Sequence, residues 1–505
     1  MLVAGGVLVP GAPRGVRQLF LVDRIILLAA LLLLVGTVSS KLSAHLGLPV
    51  LVVFVLIGML AGENGIGRIQ FDNFELAHAV GTLALAIILF DGGLQTRTAA
   101  LRAVWKPAAL LATFGVLITA GLTGLAAAWI FGLPLLTGLL LGSIVASTDA
   151  AAVFSVLRSQ GVRLRRRLVA TLEVESGSND PMAILLTVGC LEIINGRMEP
   201  WPGMTVLFLK QMGIGAIVGT ACGWAAVRLI NRASLPAPGL YPVLATACGL
   251  AAFGVAAVLG GSGFLAIYLA GIVIGNHRTV FRSGTFRFMD GLAWIGQIAM
   301  FVLLGLLSTP ADLVPVAAPA LLLSAFLILV ARPLAIMPIL LPFGFSAREQ
   351  LLISWVGLKG AVPIILATFP LMFGLAEGRL LFDVVFFVVL VSATLQGWTL
   401  PAVASWLGLQ EAAEPETPAV LELLALRDLN AEVVDYTISP ASVVAGRKVE
   451  ELGLPDGVIV ALVARGNRLI APRGGTRLDA GDHVFVIAQT GERDAAERVL
   501  GAGSA

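Results

Sequence analysis

Runs of roughly twenty apolar residues recur from Val22 to about Leu407, the length at which a helix crosses ~30 Å of hydrocarbon. No water is present at that depth to bond exposed backbone groups, so each run must satisfy its N–H and C=O internally, as a helix. The fold class is therefore an all-α polytopic membrane protein. We read thirteen spans, near 22–39, 48–62, 77–93, 107–131, 135–157, 168–194, 205–230, 240–259, 263–276, 291–307, 316–341, 350–374 and 381–407. The composition agrees. Hydrophobic residues make up 58% of the 505 and charged residues 13%, where a soluble chain carries about 25% charged.

Lys and Arg set the orientation. The loops after odd-numbered spans hold fifteen of them, including Arg163 and Arg165–Arg167, whereas the N-terminal segment and the other loops hold seven. The first set is expected on the cytoplasmic face of a bacterial inner membrane, with the N-terminus outside and the C-terminus inside. Residues 1–20 lack the basic start of a signal peptide and are interrupted by Pro10, Gly11 and Pro13, so they read as a disordered tail.

The composition changes after Leu409. Residues 21–409 read as the membrane part and 410–419, "QEAAEPETPA", as an acidic linker. Residues 420–505 read as a small α+β cytoplasmic domain, with strands in "GVIVALVARGN", "RLIAP" and "HVFVIAQ". "PASVVAGRKVEELG" reads as a short helix before them. Cys190, Cys222 and Cys248 fall inside spans and read as packing residues. A net charge of +2 gives no reason to expect nucleic acid as a partner.

A charge at mid-bilayer costs at least ~2.5–3.5 kcal/mol, so ionisable groups inside spans are functional candidates. They cluster. "GSIVASTDAAAVF" places Thr148 and Asp149 in the fifth span, and "EVESGSNDPMAILL" places Glu175, Ser176, Asn179 and Asp180 in the sixth. Arg332 lies in the eleventh and Lys359 in the twelfth. Ser176 and Asp180 are i, i+4, as are Glu175 and Asn179, so all four can share one broad helix face. These are hard oxygen donors without a His or Cys cluster, which suits an alkali cation over a transition metal. Ser and Asn also bond neighbouring helices together in bundles, but two unpaired acids, Asp149 and Asp180, are a poor adhesive. Asp91, in "FDGGL", is open to a functional role, but a span-end acid facing water is the simpler reading.

Two spans look broken. Ser147, Thr148 and Asp149 favour local side-chain to backbone bonds over helix, and Gly357, Gly360 and Pro363 interrupt the twelfth span within seven residues. Interruptions at corresponding places in two halves point to a transporter site built from discontinuous helices. The two broken spans lie seven apart, as they would if spans 1–6 were repeated inverted by 8–13.

"STDAAAV", "ESGSNDP", "ARP" and "GLKGAVP", in that order, with "LFDGGL" at Leu89–Leu94, resemble the monovalent cation:proton antiporter-1 family of NhaP/NHE-type exchangers. The resemblance covers essentially the whole membrane part. The tail is similar to the TrkA-C domain, or RCK C-lobe, of potassium transport systems, and the combination resembles the cell volume regulation protein A type of K⁺/H⁺ antiporter. This resemblance implies a homodimer with an NhaA-like inverted repeat and two discontinuous crossing helices. Spans 1–3 and 8–10 would form the scaffold and 4–6 and 11–13 the moving core. It implies that Asp180 carries cation and proton, helped by Asp149, the Ser176 hydroxyl and the Thr148 backbone carbonyl. Glu175 would pair with Arg332, and Asn179 would bond the crossing helices. Relatives with Asp in place of Asn179 tend to be electrogenic, so one proton per cation is the expectation. Lys359 stands where many relatives have Arg, which keeps charge and loses the forked donor geometry.

The implied function is exchange of K⁺ for H⁺, serving K⁺ homeostasis, pH and cell volume. The chain is expected to be a transporter and not an enzyme, with no cofactor beyond the transported ions, and a regulatory ligand on the tail remains open. Desolvation disfavours the charged form of a buried carboxyl, so a proton and an alkali cation compete for the same oxygens. A Na⁺/H⁺ exchanger of the same fold is the alternative, because both ions use the same ligand types. A tail-gated channel would need a TVGYG-type filter, and "LTVGC" at Leu186–Cys190 matches it in only three residues. A serine hydrolase would need a base, and the four His, at 45, 78, 277 and 483, read as loop or span-end residues.

Overall fold

In this computed structural model, residues 26–411 and 431–500 are described, except 28, 40, 42–48, 64, 70, 72, 361, 439–441, 443, 456, 467 and 490–498. The tail expected over 1–20 and linker residues 412–419 lie outside them. The chain divides into two compact units, Met1–Glu411 and Ala412–Ala505.

The first unit is helical. Its first helices are α1 (Ala29–Ser39), α2 (Val50–Ala61), α3 (Phe74–Gln95) and α4 (Leu101–Phe131). Next come α5 (Leu135–Ile144), α6 (Ala150–Ser159), α7 (Arg166–Ile194), α8 (Pro200–Arg232) and α9 (Leu240–Val258). The last are α10 (Gly263–Gly275), α11 (Arg282–Leu307), α12 (Pro310–Phe343), α13 (Ala347–Trp355), α14 (Val362–Met372) and α15 (Gly378–Trp406). Among the described residues, seven helices (α3, α4, α8, α9, α11, α12 and α15) are long and apolar enough to cross a membrane. Their outward faces carry bare hydrocarbon: Val258 is 88% exposed, Trp129 83% and Trp406 79%. In water such a surface would drive association; against lipid it is the expected finish.

Helices meet closely where glycines face backbones. A Cβ on Gly58 would run into the Val302 carbonyl oxygen of α11, and one on Gly305 into that of Val55 in α2. This is small-residue packing, which substitutes for the hydrophobic drive that lipid removes.

Two apolar stretches are each a pair of short helices. α5 stops at Ile144 and α6 begins at Ala150; α13 stops at Trp355 and α14 begins at Val362. Asp149 is the N-cap of α6, its Oδ1 accepting from the Ala152 amide at 3.0 Å, the Asp preference at that position. Pro363 sits in the first turn of α14, where its missing N–H costs nothing. Three π-helical turns, at Leu111–Gly115, Leu327–Ala331 and Ser392–Gln396, interrupt α4, α12 and α15. Nothing in the residue pattern signals them. The second immediately precedes Arg332, and the third supplies Ser392 and Gln396 to the gap between α13 and α14.

The loop between α6 and α7 is also more than a run of positive charge. Arg167 donates to the Phe343 carbonyl at 2.6 Å and lies 3.8 Å over the Phe345 ring. Arg163–Leu164 (β1) pairs antiparallel with Gln410–Glu411 (β2). The first two residues of the expected linker are thus strand, because Leu164, Leu407 and Leu409 are buried in one apolar cluster.

The second unit is a four-stranded antiparallel sheet of β3 (Ala431–Thr437), β4 (Val458–Arg465), β5 (Arg468–Ile470) and β6 (His483–Gln489), in the order β3-β6-β4-β5. One face packs Val458, Val460, Val463, Val484 and Val486 against Ile438, Val444, Leu452 and Leu478. The helix expected within 440–453 is not formed among its described residues, which hold a turn and a 3-10 turn at Val449–Glu451. Gly446, at a φ of +82°, ends any helix there. β3 lies outside the three apolar stretches, and no run of that kind signals it.

Arg465 locks the β5–β6 connection, its guanidinium forking onto both carboxylate oxygens of Asp482 at 2.8 Å and donating to the Arg477 carbonyl at 2.7 Å. Asp482 is 1% exposed. Arg465→Ala should therefore weaken this sheet by about 1–3 kcal/mol, the cost of charge-assisted bonds to a buried carboxylate. Faster amide exchange across 458–489 in the full chain is the expected reading, and unchanged protection would refute it.

Candidate functional site

Breaking a helix deep inside an apolar bundle leaves carbonyls at the C-terminal end of one half without amide partners. The protein meets both ends with buried cations. Lys359, 2% exposed, donates from Nζ to the Ser147 carbonyl at 2.8 Å and the Ala146 carbonyl at 3.5 Å, just beyond α5. Arg332, 3% exposed, donates to the carbonyls of Ile353 at 3.2 Å, Ser354 at 3.4 Å and Val356 at 3.2 Å, at the end of α13. Each positive side chain sits where the helix dipole is negative. Arg332 also faces Glu175, with both Nη atoms 3.5 Å from Oε1.

Glycine makes room for this chemistry. A Cβ on Gly357 would come within 2.7 Å of Arg332 Cδ, and one on Gly360 would overlap the Asp149 carboxylate. The two interrupted stretches bond directly, the Asp149 amide donating to the Leu358 carbonyl at 2.8 Å. The Lys359 amide donates to Ser392 Oγ at 3.1 Å, and Gln396 Nε2 donates to the Trp355 carbonyl at 2.7 Å. The π-turn of α15 thus satisfies backbone groups that the α13–α14 gap frees.

α7 runs past these gaps with its polar residues turned toward them. It is long enough to span a bilayer but, with Glu175, Asn179 and Asp180 in its middle, is too polar to count among the seven. Ser176 Oγ donates to the Thr148 carbonyl and accepts from the Ala150 amide, both at 3.0 Å. Asn179, fully buried, donates from Nδ2 to Thr148 Oγ1 at 2.7 Å. The Asn179 Oδ1 has no hydrogen-bond partner among the described residues. The Thr148 carbonyl keeps one lone pair beyond the Ser176 bond.

A cavity of about 230 Å³ joins these groups. Thr148, Asp149, Ser176 and Asp180 line its buried part, and it reaches Glu173, Arg158 and Asp290, the last two exposed. Asp180 itself is 7% exposed. Hence Thr148, Asp149, Ser176, Asp180 and Gly360 share the cavity, while Glu175, Asn179, Arg332 and Lys359 brace it from behind. Asp91 departs from the water-facing reading. It is buried, accepts from Gln95 Nε2 at 2.6 Å and lines the same cavity, because α3 continues to Gln95 along the cavity wall. Tyr268 lines the cavity too, and no motif marked it.

Comparisons with known proteins accord with this arrangement. Residues 28–406 match the family described as sodium/hydrogen exchanger, transmembrane, and residues 433–501 match the TrkA-C domain. A K(+)/H(+) antiporter NhaP2 from Shewanella baltica is 45% identical over 471 residues, 93% of this chain and 81% of that protein. A K(+)/H(+) antiporter NhaP from Alkalimonas amylolytica is 43% identical over 464 residues, 92% of this chain and 80% of that one. The solved structure of the sodium proton antiporter MjNhaP1 from Methanocaldococcus jannaschii shares the fold, with a TM-score of 0.67 over 77% of this chain and 98% of that chain, at 23% identity.

Proposed function

The chain belongs to the sodium/hydrogen exchanger family and is a multi-pass membrane antiporter of monovalent cations and protons, and on that premise we propose that it exchanges K⁺ for H⁺, one for one, through Asp180. The observation that carries this reading is the charge balance at the two helix breaks, at the buried end of the cavity. Asp149, Glu175 and Asp180 are three carboxyls, and Arg332 and Lys359 are two cations. With all five ionised, one negative charge is left over. A single proton or a single alkali ion neutralises it, and the loaded site is then neutral in either form. K⁺ is favoured over Na⁺ by the relatives of 45% and 43% identity, both named K(+)/H(+) antiporters.

In this mechanism Asp180 loses its proton to the cavity and accepts a cation together with Asp149, the Ser176 hydroxyl and the remaining lone pair of the Thr148 carbonyl. Glu175 is held by Arg332 and takes no part in the exchange. Lys359 and Arg332 keep the two gaps open by occupying carbonyls that would otherwise pull the chain back into helix. Five carboxyls along the cavity (Asp91, Asp149, Glu173, Asp180 and Asp290) against one Arg158 raise the local cation concentration on the approach.

The surrounding architecture in our reading has thirteen spans in an inverted repeat. The α5–α6 and α13–α14 pairs are its two discontinuous crossing helices, and the chain forms a homodimer in a bacterial inner membrane. The N-terminus lies outside, so the Arg158–Asp290 mouth faces the cytoplasm. The TrkA-C domain regulates exchange there. Reconstitution with an imposed pH gradient and a pH dye, adding K⁺, Na⁺, Rb⁺ and Li⁺ in turn, tests this. K⁺ should dissipate the gradient at the lowest concentration, and a response to Na⁺ alone would make the chain a Na⁺/H⁺ exchanger.

Asn179→Asp gives a sharper test of stoichiometry. It adds a second acid next to Asp180, so two negative charges would need neutralising in place of one. Exchange by the parent should ignore an imposed membrane potential, whereas the variant should follow it. Equal voltage dependence of the two would rule out the charge-balance argument.

A further inference from the structure

Tyr268 is 4% exposed, yet it lines the cavity beside Ser176, Gly177 and Asp180. It belongs to α10, while the other three belong to α7. Gly177 stands between Ser176 and Asp180, and the phenol occupies the space its side chain would take: a Cβ there would overlap Tyr268 Cζ, Cε2 and Oη. The ring has no easy retreat. A Cβ on Gly93 would run into the Tyr268 carbonyl oxygen, and one on Gly271 would lie 2.7 Å from the Phe90 carbonyl oxygen, so α3 and α10 are already in backbone contact.

The hydroxyl is sparsely used. Thr96 Oγ1 donates to the Gly92 carbonyl at 2.8 Å, so at the 3.5 Å Tyr268–Thr96 contact the phenol is the donor. Among the described residues no group donates back to Tyr268 Oη. It is an oxygen with free lone pairs, on a fixed ring, at the wall of the passage that reaches Asp180.

We propose that Tyr268 is a specificity-determining residue: its ring, seated on Gly177, fixes the width of the cation passage beside Asp180, and its Oη is an oxygen ligand for a partly dehydrated alkali ion. Size of the space and number of oxygens are the two ways a protein tells alkali ions apart, and Tyr268 contributes to both. The proposal rests on the antiporter reading and extends it to how the ion is chosen.

The test uses the full chain with Tyr268→Phe, Tyr268→Leu, Gly177→Ala and the Gly177→Ala/Tyr268→Leu pair. Apparent KM and maximal rate for Li⁺, Na⁺, K⁺ and Rb⁺ are measured in proteoliposomes, and ion-induced shifts in melting temperature in detergent. Tyr268→Leu should bring the apparent KM values of the four ions to within about twofold of each other while transport continues. Tyr268→Phe should raise them all severalfold and keep their order. Gly177→Ala, which displaces the ring, should cut the maximal rate about tenfold, and the added Tyr268→Leu should relieve most of that loss. Retention of the parental order and spread by Tyr268→Leu overturns the proposal, as does a Gly177→Ala defect that the double variant leaves unrelieved. If Tyr268→Leu does not fold, unchanged KM values in Tyr268→Phe overturn it. If the parent moves no cation at all the antiporter reading fails, and the melting shifts still decide whether Tyr268 ranks the ions.

Discussion

Asp180→Asn should stop exchange: in proteoliposomes the cation-driven proton flux is expected to fall more than about 100-fold, or about 2.7 kcal/mol. Asparagine has nearly the volume of aspartate and hydrogen-bonds as well, so a residue at the edge of a cavity tolerates the change sterically. What disappears is the ability to be either neutral or negative. The three carboxyls around the site become two, matching Arg332 and Lys359, and the variant is neutral with nothing bound. Neither a proton nor a cation then gains by entering. The variant should run as the parent does in size-exclusion chromatography and melt within a few degrees of it. It should also lose the alkali-dependent part of its melting shift. Exchange within threefold of the parent would remove Asp180 from the mechanism. A channel would behave differently, since its flux needs no titrating group and would persist down a K⁺ gradient.

The membrane class is legible because hydrocarbon imposes one rule on every span, and the rule is written in run length. The candidate site is legible for a related reason: a charged residue in such a run is costly, so Asp149, Asp180, Arg332 and Lys359 stand out individually. Their partners do not. That Arg332 closes the end of α13 while Lys359 closes that of α5 depends on contacts across about 20 and 210 residues of chain, and no local pattern encodes them. A span-end position does not amount to exposure at Asp91, because α3 runs on beside the cavity. Tyr268 is an ordinary aromatic in an apolar helix until Gly177 is found beneath its ring. In the tail, the stretch within 440–453 has helix-compatible composition, but Gly446 and its pairing to Leu478 take the chain elsewhere.

Arg332→Ala is expected to be the most damaging single change to the fold. Removing one partner of a buried ion pair costs about 3–5 kcal/mol, since the other charge stays behind without compensation. Here Glu175 would be that charge, with both side chains only 4% exposed in the parent. Three carbonyls at the end of α13 lose their donor in addition, so the effect should exceed that of Glu175→Gln, which removes the pair but leaves the carbonyls bonded. A drop in melting temperature of about 4–6 °C is expected for Arg332→Ala, scaling the usual conversion to the Met1–Glu411 unit. Arg332→Lys should fall between, because a single ammonium keeps the charge and cannot reach Glu175 and three carbonyls at once. The order matters more than the size. If Glu175→Gln proved as destabilising as Arg332→Ala, the ion pair alone would account for Arg332, and its place at the helix break would be incidental. If Arg332→Ala melted with the parent, the break would be holding itself open without a cation, and the same doubt would extend to Lys359.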